Sequence, residues 1–135
     1  MKILSEKPLI RAYCCDCMDL MAGKGDGFYS LAICDPPYGI GSDGSMNMGS
    51  ERNTITFYKQ KDWDIVPDES YFVELFRISK HQIIWGGNYF DLPPSQGFAI
   101  WDKKIGNNDF AMCEYAWISI QRSSKLFSMC GTHLT

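Results

Sequence analysis

Leu31-Ala32-Ile33-Cys34-Asp35-Pro36-Pro37-Tyr38-Gly39 is the stretch that decides the fold of this chain. Its first four residues form an apolar run without alternation, which is typical of a parallel strand covered on both faces. Pro36 and Pro37 end this strand, because a proline has no N–H to donate and confines the preceding residue to extended backbone. Ligands of open α/β sheets bind at the carboxyl ends of strands, so we expect Asp35 and the Pro36 carbonyl to lie at a binding site in one rigid geometry.

The chemistry suited to this pair is the activation of an amino group attached to an aromatic ring. Such a nitrogen is a poor nucleophile because its lone pair is delocalised. The Asp35 carboxylate and the Pro36 carbonyl offer two acceptors for its two N–H bonds, and they stabilise the positive charge that develops when the nitrogen attacks a methyl sulfonium. Tyr38 provides a ring on which a base taken out of a duplex can stack.

The tetrapeptide Asp35-Pro36-Pro37-Tyr38 resembles the catalytic motif of the S-adenosylmethionine-dependent amino-methyltransferases that act on DNA. Its Asp form is most similar to the adenine-N6 enzymes, since the cytosine-N4 enzymes more often carry Ser. RNA methyltransferases share the tetrapeptide, but the similarity covers most of the chain, from about Cys14 to Ser119. The further segments that resemble phage-type members are Cys15-Asp16-Cys17-Met18, Gln82-Ile83-Ile84-Trp85-Gly86-Gly87-Asn88-Tyr89-Phe90, Trp101-Asp102-Lys103 and Cys113-Glu114-Tyr115-Ala116-Trp117.

The resemblance implies S-adenosylmethionine as the cofactor and DNA as the partner. It implies that Asp35, Pro36, Pro37 and Tyr38 are catalytic, that Asp35 also lies beside the cofactor, and that Asp16 lies near the cofactor's adenosine end.

The helix and strand signals before the motif are short. A first strand is predicted over Leu9 to Tyr13. Asp16 then has an equally good explanation as the N-cap of a helix that carries Asp19 in its first turn and ends at Gly23.

Composition indicates one globular domain spanning residues 1–135, with 45% hydrophobic and 14% aromatic residues. The formal charge of −3 does not favour strong non-specific binding to nucleic acid, so either a local basic patch contacts the DNA or DNA binding is weak. Six cysteines without a signal-peptide pattern indicate a reduced, cytoplasmic protein. The spacing of Cys14, Cys15 and Cys17 does not predict a metal site, and no apolar run is long enough to span a membrane.

A long loop is predicted from Gly39 to about Val66, and its part from about residue 42 to 61 is expected to be mobile. The loop begins with Gly39-Ile40-Gly41-Ser42-Asp43-Gly44, which spells a dinucleotide fingerprint but leads into no helical pattern, so no phosphate site is expected there. Arg52, Lys59 and Lys61 suit contacts with DNA phosphates, although a mobile polar loop explains them equally well.

The second half of the chain predicts a crossover helix between two parallel strands. Pro67 is placed at the first helical position, and the helix is expected over Ser70 to Lys80. Gln82 to Trp85 is the next buried strand. Tyr71, Phe72, Leu75, Phe76 and Ile78 form the apolar stripe of the helix, and Phe98 to Trp101 and Cys113 to Ile120 are predicted as antiparallel neighbours.

Gly86, Gly87 and Asn88 follow the strand Gln82 to Trp85 and are the expected substrate-binding residues. The glycines allow close approach of a ligand, and the Asn88 amide can hydrogen-bond to it, although a tight turn also explains them. Because both strands end at one edge of the sheet, we expect Asp35 and Tyr38 to share a single pocket with these three residues.

The fold class expected from all these signals is α/β, with a partial Rossmann-like methyltransferase sheet of mixed parallel and antiparallel strands and one exposed edge. The glycine-rich methionine-binding segment of the family is not found in the chain, so the chain resembles a truncated catalytic half. We therefore expect the chain alone to bind S-adenosylmethionine weakly or not at all, and to transfer no methyl group to DNA without a partner. The alternative functions are a non-catalytic remnant that binds nucleic acid or dimerises, and an RNA methyltransferase; the expected partners are DNA and either a second copy or a complementary half.

Overall fold

The computed structural model describes residues 2–7, 9–40, 64–104 and 111–129. The chain begins with an antiparallel hairpin of β1 (Lys2–Lys7) and β2 (Ile10–Cys14). The first strand predicted from the sequence corresponds to β2, which pairs with β1 and lies outside the main sheet. The helix α1 (Cys17–Ala22) follows, and Asp16 caps it as predicted: its carboxylate accepts from the Met18 N–H at 2.8 Å.

The main sheet has five strands in the described part of the chain. Two of them are parallel neighbours, β3 and β4, and β6 runs antiparallel to both β4 and β5. The strand order is β3-β4-β6-β5-β7, and β7 is parallel to β5. The expected α/β class with an open, mixed sheet is thus confirmed. The strands are β3 (Ala32–Cys34), β4 (Gln82–Trp85), β5 (Phe98–Asp102), β6 (Cys113–Ile118) and β7 (Lys125–Ser128).

The helix α2 (Glu69–Ile78) connects β3 to β4. Placing Pro67 at the first helical position was wrong by two residues. Asp68 is the N-cap, because its carboxylate accepts from the N–H groups of Ser70 at 2.9 Å and Tyr71 at 3.4 Å, which have no partner inside the helix. The helix ends at Ile78 rather than Lys80, because Ser79 is already extended and bridges to Tyr29.

The hydrophobic core lies between α2 and one face of the sheet. Leu75 and Ile78 of the predicted helical stripe are buried, and Tyr71, Phe72 and Phe76 pack against them. Ile84 of β4 is fully buried at 0% exposure. The buried members of the cluster are Met21, Leu75, Ile78, Ile84 and Trp117.

Within the described residues β3 is the terminal strand of the sheet order, and the expectation that it is covered on both faces was wrong. Ala32 and Cys34 pack against the core, whereas Ile33 points to the opposite face and is 64% exposed. Both described helices contribute to the core cluster, so in the described part of the chain no helix covers the face that carries Ile33.

Arg77 ties α2 to the end of α1. Its guanidinium donates to the backbone carbonyls of Lys24 at 2.8 Å and Met21 at 3.1 Å. It also donates to the carboxylates of Asp26 at 2.9 Å and Glu74 at 2.7 Å. Arg77 thereby links α2 to the C-terminal end of α1 and to the residues that follow it.

Candidate functional site

The carboxyl ends of β3 and β4 lie side by side, because the two strands are parallel neighbours. β3 leads into Asp35, which is exposed, and Pro36, which is buried. β4 leads into Gly86 and a single 3-10 turn (Gly87–Tyr89). Two segments that are far apart in sequence therefore meet at one edge of the sheet.

Asp35 and Tyr38 are directly bonded. The Tyr38 hydroxyl donates to the Asp35 Oδ1 at 2.5 Å. Partial burial, together with this hydrogen bond, raises the pKa of Tyr38 well above its ordinary value, so the hydroxyl keeps its proton and remains a donor. A carboxylate has about four lone-pair sites, so Asp35 retains capacity to accept further hydrogen bonds.

The ring of Tyr38 lies on Gly86. A Cβ added to Gly86 would stand 2.2 to 2.7 Å from three atoms of that ring, and the backbone there has a φ of 66°. Both facts require glycine at this position. Gly87 is buried instead against β6, where an added Cβ would lie 2.4 Å from the Trp117 Cβ.

Two cavities open at this edge of the sheet. The Asp35 cavity has a volume of about 580 Å³ and the Tyr38 cavity one of about 550 Å³. The Asp35 cavity is lined by Cys17, Met18, Ile33, Cys34, Asp35, Pro36, Pro37, Pro67, Asp68, Ser70 and Tyr71. The Tyr38 cavity is lined by Tyr38, Ile40, Gly86, Asn88, Tyr89, Ala111, Cys113, Glu114 and Tyr115.

The single pocket expected from the sequence is therefore divided. Tyr38, Gly86 and Asn88 line one cavity together, as expected. Asp35 lines the neighbouring cavity, and Gly87 contributes to packing rather than to the wall of either. The Asp35–Tyr38 hydrogen bond joins the two cavities.

The Asp35 cavity combines apolar walls with a few polar groups. Burial raises the pKa of the Tyr71 hydroxyl and of the Cys34 thiol, which both line this cavity. Cys17 stands at the start of α1, where partial burial and the neighbouring Asp16 raise its thiol pKa. Asp16 itself serves as the helix cap and does not line this cavity.

Three tyrosines, Tyr38, Tyr89 and Tyr115, line the Tyr38 cavity. Its polar groups include the Asn88 amide and the Glu114 carboxylate, which forms an ion pair with Lys103. Sequence reasoning assigned no role to Tyr89, Glu114 or Tyr115. The only signal for them was their position inside segments that resemble the methyltransferases.

Asp102 and Lys103 lie at the end of β5 and form separate ion pairs. Asp102 pairs with Lys104 at 2.7 Å, and Lys103 pairs with Glu114. Lys103 also lies over the Trp101 ring, 5.6 Å from its centroid.

Gly39, where the predicted long loop begins, is hydrogen-bonded to a residue near the other end of that segment. Its N–H donates to the Asp64 Oδ1 at 2.8 Å, which brings the two ends of the intervening segment together. The proposed DNA-contact residues Arg52, Lys59 and Lys61, and the segment 42–61 expected to be mobile, lie outside the described residues.

The described ranges contain no cluster of three or more His, Cys, Asp or Glu residues that could hold a metal ion. Within the same ranges, no helix has the length and apolar character that crossing a membrane requires. Comparisons of the chain with protein-family models, with curated proteins and with solved structures give no match.

Proposed function

We propose that this chain carries the acceptor-activating site of an S-adenosylmethionine-dependent DNA adenine-N6 methyltransferase. The observation that carries the proposal is the Asp35–Tyr38 hydrogen bond at the carboxyl end of β3, with a cavity on each side. A group transfer between two bound molecules needs two sites that meet at the reacting atoms, and this arrangement meets that requirement.

The residues of the Asp35 cavity fit a sulfonium cofactor. Its volume of about 580 Å³ lies in the range of small-molecule sites. Met18, Ile33 and the two prolines provide apolar contact, while the Asp35 and Asp68 carboxylates attract positive charge. When bound there, S-adenosylmethionine supplies an electrophilic methyl group.

On the acceptor side, the Asp35 carboxylate and the Pro36 carbonyl accept hydrogen bonds from the two N–H groups of the adenine amino group. This pairing localises the nitrogen lone pair and stabilises the positive charge on the nitrogen during the reaction. The Asp35 carboxylate is also the acceptor for the proton that the nitrogen loses. Tyr38, which keeps its own proton, holds the carboxylate in place.

The Tyr38 cavity is the proposed place of the extruded base. Aromatic side chains stack on a flipped base, and the Asn88 amide is able to pair with the donor and acceptor edge of adenine. A duplex base reaches such a site only by leaving its stack.

We further propose that the five strands are part of a Rossmann-like methyltransferase sheet. The parallel β3-α2-β4 unit supports this assignment. Within the described residues β3 is the terminal strand of the sheet order, and this edge supports a complementary chain or a second copy pairing there.

Calorimetric titration of the chain with S-adenosylmethionine tests the cofactor side of the proposal. We expect weak, saturable binding that is reduced in Asp35→Ala and retained in Asp19→Ala, a control carboxylate that does not line the cavity. Absence of binding, or equal binding by both variants, contradicts the proposal.

Transfer of labelled methyl groups to DNA tests the reaction itself. Oligonucleotides with and without adenine are the matched substrates, and the chain is assayed alone and with a complementary methyltransferase half. We expect transfer only to adenine-containing DNA, only with the partner, and not in Asp35→Ala. DNA binding without transfer under every condition favours the non-catalytic alternative.

A further inference from the structure

The aromatic ring of Tyr89 is stacked on Tyr38. The ring centroids are 4.9 Å apart and the planes are inclined by only 16°, so the two rings are nearly parallel. Both rings line the Tyr38 cavity. Tyr89 thus has the arrangement relative to Tyr38 that a stacked base adopts.

We propose that Tyr89 occupies the stacking position of the target base and leaves it when the base binds. The inference rests on the proposed function, because it names the way in which the proposed acceptor site takes up its substrate. The ligand is a flat, unpaired base, and its binding is an exchange of one ring for another on Tyr38.

The local structure permits Tyr89 to move. Its side chain is 45% exposed, and it belongs to a 3-10 turn of only three residues. The turn follows Gly86, whose left-handed backbone has no Cβ to restrict it, and the Tyr89 N–H is bonded only locally, to the Gly86 carbonyl at 2.8 Å.

The neighbouring ring of Phe90 is held much more firmly. Phe90 packs against the core cluster and lies 5.2 Å from the Phe72 ring, centroid to centroid. It also meets Tyr38 at 6.1 Å with an interplanar angle of 62°. Phe90 therefore keeps Tyr38 in place while Tyr89 is exchanged.

The exchange is favourable because a base stacks on an aromatic side chain at least as strongly as one tyrosine stacks on another. Removal of the Tyr89 ring therefore removes a competitor. Truncation of an ordinary pocket wall weakens ligand binding, whereas truncation of Tyr89 is expected to strengthen the binding of the base.

The test is an NMR titration of the full chain with 2′-deoxyadenosine 5′-monophosphate. We expect the Kd of Tyr89→Ala to be lower than that of the wild type by about 2- to 10-fold, the equivalent of one aromatic pair. Tyr89→Phe keeps the competing ring and is expected to stay within about 2-fold of the wild type. Tyr38→Ala removes the surface for which both rings compete, so its Kd is expected to rise.

The outcomes separate this inference from the proposed function. A higher or unchanged Kd for Tyr89→Ala, with clear binding by the wild type, overturns the exchange and leaves the proposed function intact. Absence of binding by the wild type and by all three variants overturns the proposed base site and the exchange together. Because Tyr89 is 45% exposed and is not a member of the core cluster, circular dichroism of Tyr89→Ala is expected to match that of the wild type.

Discussion

At β3 and β4, the two faces of the sheet differ sharply in how they are covered. On the covered face, Cys34 and Ile84 pack with α2, and Ile84 is 0% exposed. On the open face, Ile33 is 64% exposed and its neighbour Ile83 is only half-buried. Successive residues of one short strand thus meet opposite environments.

This difference shows where the stability of the described fold comes from. Parallel strands are ordinarily covered on both faces, so their sequences read as continuous apolar runs. Here β3 and β4 have such sequences, yet the described helices cover one face only. We infer that apolar burial on the covered face provides most of the stability at these two strands, whereas Ala116 of β6, on the same face as Ile33, is fully buried.

The largest effect is expected from a pair of identical substitutions on the two faces. Ile84→Ala is expected to lower the free energy of unfolding by about 2 to 5 kcal/mol, because it removes fully buried methyl groups and leaves a cavity. Ile33→Ala is expected to change it by no more than about 0.5 kcal/mol. Urea denaturation measures both, and similar losses for the two variants contradict the comparison.

A substitution at the carboxyl end of β4 tests whether the candidate site is packed as tightly as the covered face of the sheet. Gly86→Ala is expected to cost about 1 to 3 kcal/mol, because its φ is 66° and the added Cβ clashes with the Tyr38 ring. Gly25→Ala is the control, since its Cβ meets no described atom within 4 Å. Equal unfolding free energies for the two variants would show that Tyr38 does not lie on Gly86.

The helix layer of the covered face is tested at Arg77. Arg77→Ala leaves the Met21 and Lys24 carbonyls without their side-chain donor, so the midpoint of thermal unfolding is expected to fall by about 5 °C. The matched control is Arg122→Ala, an exposed arginine that follows β6, and its Tm is expected to stay unchanged. A drop of the same size in both variants would indicate a general effect of charge.

The smallest expected effect is a dependence of stability on pH through Cys34. Burial raises the pKa of its thiol above the ordinary value of 9.0, so the folded state holds this proton more tightly than the unfolded state. The stabilisation is present below pH 9 and is lost as the pH rises through the folded pKa. The free energy of unfolding is therefore expected to fall above pH 9.

Cys34→Ser is the control for this fall, because serine replaces the thiol by a hydroxyl of similar shape that does not titrate in that range. We expect its unfolding free energy, measured by urea denaturation at pH 7 to 10, to fall less steeply than that of the wild type. Tyr38 and Tyr71 also have raised pKa values, so part of the fall remains in the variant. Identical slopes contradict a role for the Cys34 thiol.

Local signals in the sequence predicted several elements correctly. The apolar stripe of α2, the cap at Asp16 and the buried strand β4 are indicated by patterns of residues close in sequence, and each was found. The strands β1 and β7 were missed. β1 forms a strand by pairing with β2, and β7 by pairing with β5. No short-range sequence pattern predicts such pairing.

The candidate site was likewise predicted only in part. Asp35, Tyr38, Gly86 and Asn88 were predicted to meet, because consecutive parallel strands end at one edge of a sheet. The hydrogen bond from Tyr38 to Asp35, the stack of Tyr89 on Tyr38 and the division into two cavities were not predicted.

The sequence by itself determined that the strand ending at Cys34 is stopped by two prolines, because proline removes a donor and fixes the backbone whatever surrounds it. The sequence did not determine the left-handed backbone of Gly86, because glycine allows that conformation without requiring it. Tertiary structure decided that Ile33 is exposed while Cys34 is half-buried, and that a tyrosine ring lies on Gly86. Those outcomes depend on which elements pack together, and such contacts join residues about 50 positions apart, beyond the reach of any local pattern.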